Sequence, residues 1–203
     1  PGDISSAAFF IVGSIISNDS QVKIANVGLN PLRTGFIDIL KMMGASIEIS
    51  DLRKVNGEVV GTIDVESSKL KGIAIEKDLI VRSIDELPLI ILAASQAVGK
   101  TSIRNAEELR FKESDRISSM VEMMKRFNIS INEFDDGMEI YGGIIEGNTI
   151  NSFGDHRVAM TALLASLVSR EDIIVQDTVN IDTSFPEFIN IANNIGMDIK
   201  VYD

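Results

Sequence analysis

Three times along this chain the same order of segments returns, and a repeat of that size confines the fold to copies of one supersecondary unit packed on a common core. Apolar segments of helical period fall at about 5–17, 32–43, 86–98, 114–127, 156–169 and 184–195, with β-branched runs between them. Asp3, Asp85 and Asp155 each open a helix. A strand follows each helix, at Val22–Val27, Thr101–Arg104 and Ile173–Gln176, and a second helix then ends near Gly44, Asn128 or Gly196. The distance from opening Asp to closing Gly or Asn is 41, 43 and 41 residues. After each closing residue another strand is expected, at Ser46–Ile49, Ile129–Asn132 and Asp198–Tyr202. Further strands at Val59–Val65, Ile73–Ile75 and Met138–Tyr141 complete a helix–strand–helix–strand–strand order. Ser50–Glu58 and Glu146–Ser152 read as exposed loops. The fold class that follows is mixed α/β in one domain, 1–203. The first helix of each copy, apolar on nearly all sides as in Ala159–Val168, should be buried, and the more amphipathic second helices should lie nearer the surface.

A hydrophobic fraction of 45% supports a well-buried core in a chain of 203 residues. No apolar run reaches the roughly 20 residues that span a bilayer, and no basic-then-apolar leader is seen, so a soluble, cytoplasmic protein is expected. Without cysteine there is no disulfide framework, no thiolate nucleophile and no cysteine-bound metal, and one histidine makes no histidine cluster. Neither a metal nor an organic cofactor is expected. A net charge of −11 argues against a nucleic-acid partner, because phosphate-backbone affinity rests on clustered Lys and Arg. The opening Pro1, Gly2, Asp3, running straight into a periodic segment, reads as a cut inside a longer protein.

The candidate chemistry lies where helices begin. Asp3, Asp85 and Asp155 suit N-caps, which accept bonds from free backbone N–H groups. His156 and Arg157, however, fall in a first helical turn, where the dipole disfavours positive charge by ~0.3–1 kcal/mol per group. Lys112 and Arg116, spaced i, i+4 at the start of another apolar helix, repeat the anomaly on one face. Unpaired N–H donors joined by Lys, Arg and His make a site for phosphate or carboxylate. Ordinary surface pairing of Lys112 and Arg116 with Glu113 and Asp115 is the alternative.

Pro1-Gly2-Asp3-Ile4-Ser5-Ser6-Ala7, Ile84-Asp85-Glu86-Leu87-Pro88, Lys112-Glu113-Ser114-Asp115-Arg116, Gly154-Asp155-His156-Arg157 and Ser184-Phe185-Pro186-Glu187-Phe188 stand in this order. Together they resemble the C-terminal domain of the 5-enolpyruvylshikimate-3-phosphate synthase family, over essentially the whole chain. The resemblance implies repeated βαβαββ units with buried parallel helices surrounded by sheets, and an absent N-terminal domain as partner. It implies transfer of the enolpyruvyl group of phosphoenolpyruvate to the 5-hydroxyl of shikimate 3-phosphate, by a monomer. Asp85 would contact the shikimate hydroxyls and take the proton of the attacking one, and Glu113 would carry the proton to and from the enolpyruvyl carbon. Arg116 and Arg157 would clamp the phosphoenolpyruvate carboxylate with help from His156, and Lys112 would reach the shikimate phosphate or a hydroxyl. The isolated chain is expected to be inactive.

Two positions depart from the family pattern. Glu108 stands where Asn is frequent, so no substrate contact is assigned there, and Asp182-Thr183-Ser184-Phe185-Pro186 lacks the Lys found before Thr-Phe-Pro in many members. Two alternatives stay open. One is the sister transferase acting on a UDP-linked amino sugar; the other is a non-catalytic scaffold, which would scatter Lys112, Arg116, His156 and Arg157 over separate faces.

Overall fold

A computed structural model describes residues 1–202. In the first copy, Asp3 accepts a bond from the Ser6 N–H and starts helix α1 (Ile4–Ile16). Strand β1 (Gln21–Gly28), helix α2 (Gly35–Met42) and strands β2 (Ser46–Val55) and β3 (Glu58–Glu66) follow. The second copy begins with a short helix α3 (Lys77–Val81) that the sequence pattern does not signal. It continues with α4 (Leu87–Ser95), β4 (Lys100–Ile103), a 3-10 turn at Glu107–Phe111, α5 (Arg116–Arg126), β5 (Ile131–Phe134) and β6 (Gly137–Tyr141). The third holds β7 (Thr149–Asn151), α6 (His156–Ala165), β8 (Ile174–Gln176), α7 (Val179–Ser184) and α8 (Phe188–Asn194).

The first two copies build the same antiparallel sheet, in the orders β1-β3-β2 and β4-β6-β5. In all three, the segment before the buried helix pairs in parallel with the strand after it. Gly2 bridges Val27, Ala74 bridges Ser102, and β7 pairs with β8. The unit is therefore βαβαββ, with a first strand reduced to isolated bridges in two copies. The second helix of each copy ends where expected, because Gly44, Asn128 and Gly196 all adopt positive φ (+102°, +61° and +114°), the usual way to stop a helix.

Several expected elements take other forms. Ser50–Glu58 is largely the second half of β2 in a hairpin with β3, closed by a turn at Asn56 and Gly57, because Arg53, Lys54 and Val55 resume pairing with Val60, Val59 and Glu58 beyond a bulge. Ile73–Ile75 is a bridge segment rather than a strand. Glu146–Ser152 contains β7. The last predicted helix is broken into α7 and α8 around Pro186, which cannot continue a helix. No strand forms at Asp198–Tyr202. Its counterparts β2 and β5 are edge strands that pair only with the strand after them, and the described residues supply no such partner here.

Helices α1, α4 and α6 pack pairwise and form the centre of a single continuous core. Their N-terminal ends meet, since Ser5 of α1 and Arg157 of α6 both bond to Glu86 at the start of α4. At the other end of the same pair of helices, Gly13 faces Leu164 and Leu167. The buried helices accordingly run parallel and open their N-termini onto one edge of the domain.

Candidate active site

Four helix starts converge on that edge, and a chain of charged groups links them. Asp155 is fully buried. Its side chain accepts the N–H groups of Arg157 and Val158, capping α6, and it also accepts two bonds from Arg116, from Nε at 2.8 Å and Nη2 at 3.3 Å. Ser114 adds a third donor at 3.1 Å. Arg116, only 1% exposed, is the first residue of α5 and extends across to α6. Its Nη2 also donates to Glu113 at 2.7 Å, while its Nη1 has no hydrogen-bond partner and lies 3.8 Å from the Asp85 carboxylate. Internal carboxylates thus offset most of the positive charge at this helix start and leave one guanidinium nitrogen unsatisfied beside Asp85.

Asp85 is not an N-cap. The cap position of α4 is Glu86, whose side chain makes no capping bond. The Asp85 carboxylate instead lies 3.3 Å from Lys112 Nζ, and its main-chain oxygen accepts from Arg157 Nη1 at 2.9 Å. Lys112 is not on α5 either. It sits at the end of the 3-10 turn, held by Glu108 at 3.1 Å, and reaches Asp85 from outside the helix, so the i, i+4 spacing brings both cations to one carboxylate by a loop rather than by a shared helical face.

Burial tends to raise the Asp85 pKa, but Arg157, Lys112 and Arg116 outweigh it, and the carboxyl titrates below its ordinary 3.8. Asp155 shows the same balance, burial against Arg116 and the cap bonds, with the same downward result. Both are ionised at neutral pH. Lys112 titrates above its usual range, since Glu108 and Asp85 overcome its partial burial. The His156 pKa falls below 6.5, first from burial and next from Arg157, which leaves a neutral imidazole close to Arg157, Asp155, Glu113 and Arg116.

The loop ahead of α6 is built to present these groups. Phe153 and Gly154 adopt φ of +56° and +70°, which glycine takes without a steric penalty. Asn180 donates to the Gly154 carbonyl and Ser152 Oγ donates to the Asp177 carbonyl, so α7 and β8 hold the turn from the far side.

All six predicted side chains, Asp85, Lys112, Glu113, Arg116, His156 and Arg157, thus occupy one edge, and all but His156 are joined by direct contacts into one network. Four further residues carry it that the pattern of charges did not single out: Ser5, Arg33, Glu86 and Ser114. Ser5, Glu86 and Ser114 stand inside the quoted motifs; Arg33 had no distinguishing signal. Among the described residues no group of three His, Cys, Asp or Glu is placed to hold a metal ion.

The model of the EPSP synthase (3-phosphoshikimate 1-carboxyvinyltransferase) family matches residues 1–191. The chain belongs to the EPSP synthase family. The 3-phosphoshikimate 1-carboxyvinyltransferase of Geotalea uraniireducens is 50% identical over 196 residues, 96% of this chain and 46% of the relative. The Coxiella burnetii enzyme of the same name is 44% identical over 200 residues, 98% and 46%. An EPSP synthase structure from Acinetobacter baumannii superimposes with a TM-score of 0.97 at 40% identity, covering all of this chain and 48% of its own. The enolpyruvyl transferase NikO from Streptomyces tendae shares the fold at 16% identity, with a TM-score of 0.76 over 97% of this chain and 43% of its own. This EPSP synthase-family chain spans about half the length of the curated relatives it matches.

Proposed function

We propose that this chain is the C-terminal half of an EPSP synthase, and that the whole protein joins phosphoenolpyruvate to the 5-hydroxyl of shikimate 3-phosphate and releases phosphate. The observation that carries the reading is Arg116 Nη1, buried, without a hydrogen-bond partner and 3.8 Å from the Asp85 carboxylate, which Lys112 also reaches at 3.3 Å. A guanidinium nitrogen in that state calls for an anionic oxygen. The carboxylate of phosphoenolpyruvate would meet Arg116 and Arg157, with neutral His156 beside them, and Lys112 would reach the shikimate phosphate or hydroxyl.

Ionised Asp85 accepts the proton of the 5-hydroxyl as its oxygen attacks C2 of phosphoenolpyruvate, and Glu113 supplies the proton that adds to the methylene carbon. In the second stage Glu113 removes a proton from the methyl group thus formed, the double bond returns, and the C–O bond to phosphate breaks. The cations offset charge at the carboxylate and phosphate throughout. Relatives 44–50% identical bear the shikimate name, which favours this acceptor over a UDP-linked amino sugar. The whole enzyme is proposed to act as a cytoplasmic monomer. No helix among the described residues is long and apolar enough to cross a membrane.

The other half is required, because both substrates carry phosphate while Lys112 is already paired with Asp85 and Glu108, and Arg116 with Glu113 and Asp155. Phosphate release is the direct test. The isolated chain should release none from phosphoenolpyruvate and shikimate 3-phosphate, and the full-length protein should turn over with that acceptor and not with UDP-N-acetylglucosamine. Turnover by the chain alone would overturn the division of labour, and inertness of the full-length protein would overturn the reaction.

A further inference from the structure

Glu86 is the least expected ionisable group in the domain. It is 4% exposed, it occupies the cap position of α4 without capping, and it sends its carboxylate sideways to a different helix. A carboxylate removed from water costs several kcal/mol unless its partners compensate. One oxygen, Oε1, receives the Ser5 hydroxyl at 2.5 Å and Arg157 Nη1 at 3.3 Å. The Ser5 oxygen in turn accepts from Arg33 Nη2 at 2.9 Å, and Arg33 pairs with Asp3 at 3.2 Å. The result is a polar line, Arg33 to Ser5 to Glu86 to Arg157, that crosses the starts of all three parallel helices.

We infer that Glu86 is a positioning residue, which fixes the Arg157 guanidinium at the angle from which it receives the carboxylate of the three-carbon anionic substrate. This rests on the assignment of Arg157 under Proposed function. Arg157 Nη1 has two acceptors, the Asp85 carbonyl and Glu86 Oε1. The carbonyl alone leaves the planar group free to rotate about one contact; the second, charged acceptor sets its plane. Ser5 donates to the same Glu86 oxygen and holds it in place, so α1, which carries no other group of the proposed reaction, still helps set the geometry. A simple staple between α1 and α4 would need Glu86 and Ser5 only and would leave substrate affinity unchanged.

The test uses the full-length protein. Glu86→Gln keeps the acceptor oxygen and the shape and removes the charge. It should raise KM for phosphoenolpyruvate about 10-fold, in line with loss of one charge-assisted bond, with kcat and KM for shikimate 3-phosphate changed less than about twofold. Glu86→Ala should raise it further; should that variant fail to fold, Glu86→Gln carries the test. In an Arg157→Gln background, adding Glu86→Gln should change KM for phosphoenolpyruvate by less than about twofold, because the two side chains act as one unit. Effects that multiply in the double variant, or a Glu86→Gln variant with KM for phosphoenolpyruvate within twofold of the unmodified enzyme, would overturn the inference. Absence of phosphate release by the unmodified protein would instead overturn the reaction on which it rests.

Discussion

Arg116 stands at a position that a free helix would disfavour, since its charge opposes the dipole of α5, and it is almost wholly buried. Asp155 resolves both difficulties at once. It brings a carboxylate to Nε and Nη2 while spending its remaining oxygen capacity on the N–H groups that open α6. Removing it strands a buried guanidinium and uncaps a helix. Asp155→Ala should therefore lower stability by roughly 3–5 kcal/mol, within the range for breaking one side of a buried pair. Arg116→Met, which removes the charge and keeps the bulk, should cost clearly less in stability while abolishing turnover of the full-length enzyme. Urea denaturation of the two variants checks the order; equal losses would show that the charge pair is not what holds α5 to α6. The residues of this pair were legible in the sequence, Arg116 as a cation set against the helix dipole and Asp155 as a helix cap, but their pairing was not. Spacing along the chain gives only local neighbours, and the partner of Arg116 lies 39 positions away. For the same reason Asp85 read as a cap, although it faces cations from two other segments.

At the scale of elements, the helices were the most legible features, because a 3.6-residue apolar period survives in any environment that buries one side. The strands were less so. Ile73–Ile75 has the composition of a strand and forms a single bridge, and Asp198–Tyr202 lacks a neighbour altogether; pairing, which a strand needs, is not a local property. The repeat nevertheless marks more than helices and strands. Asn26, Asn105 and Asp177 all adopt φ near +60° in or just after the second strand of their copies, a shared left-handed corner that short polar side chains tolerate. Broken α7–α8 carries its own anchor: Phe185 and Phe188 pack on Phe9 and Phe10 of α1, with ring centroids 5.6–6.1 Å apart. Phe188 is completely buried. Phe188→Ala should cost about 3–5 kcal/mol. Since α7 holds the Gly154 turn through Asn180, the same variant should speed amide exchange across Ser152–His156 in a hydrogen-exchange experiment. Loss of stability with exchange there unchanged would separate the aromatic anchor from the turn that presents the site.

For the molecule as a whole, one core runs through all three copies, so unfolding of the chain should be a single cooperative transition despite the repeat. Its pH dependence follows from the charges at the helix starts. Burial opposes ionisation of Asp3, Asp85, Asp115 and Asp155, yet caps and cations leave each below the ordinary 3.8. These acids hold protons less tightly folded than unfolded; their stabilisation is complete above that value and is lost as pH falls through the folded pKa values. His156 works in the same direction at higher pH, because its folded pKa lies below 6.5, so the unfolded chain takes up a proton first on acidification. Glu86, raised above 4.5 by burial despite Ser5 and Arg157, has the opposite sign and returns some stability as it protonates. Melting temperatures followed by circular dichroism should therefore be flat near pH 8–7, decline gently as pH falls through about 6.5, and drop steeply below about 4. His156→Asn should remove the gentle decline and leave the steep one, whereas Asp155→Asn should lessen the steep one. A single acid transition insensitive to both substitutions would mean that the convergent helix starts, for all their charge, do not govern the stability of the fold that presents them.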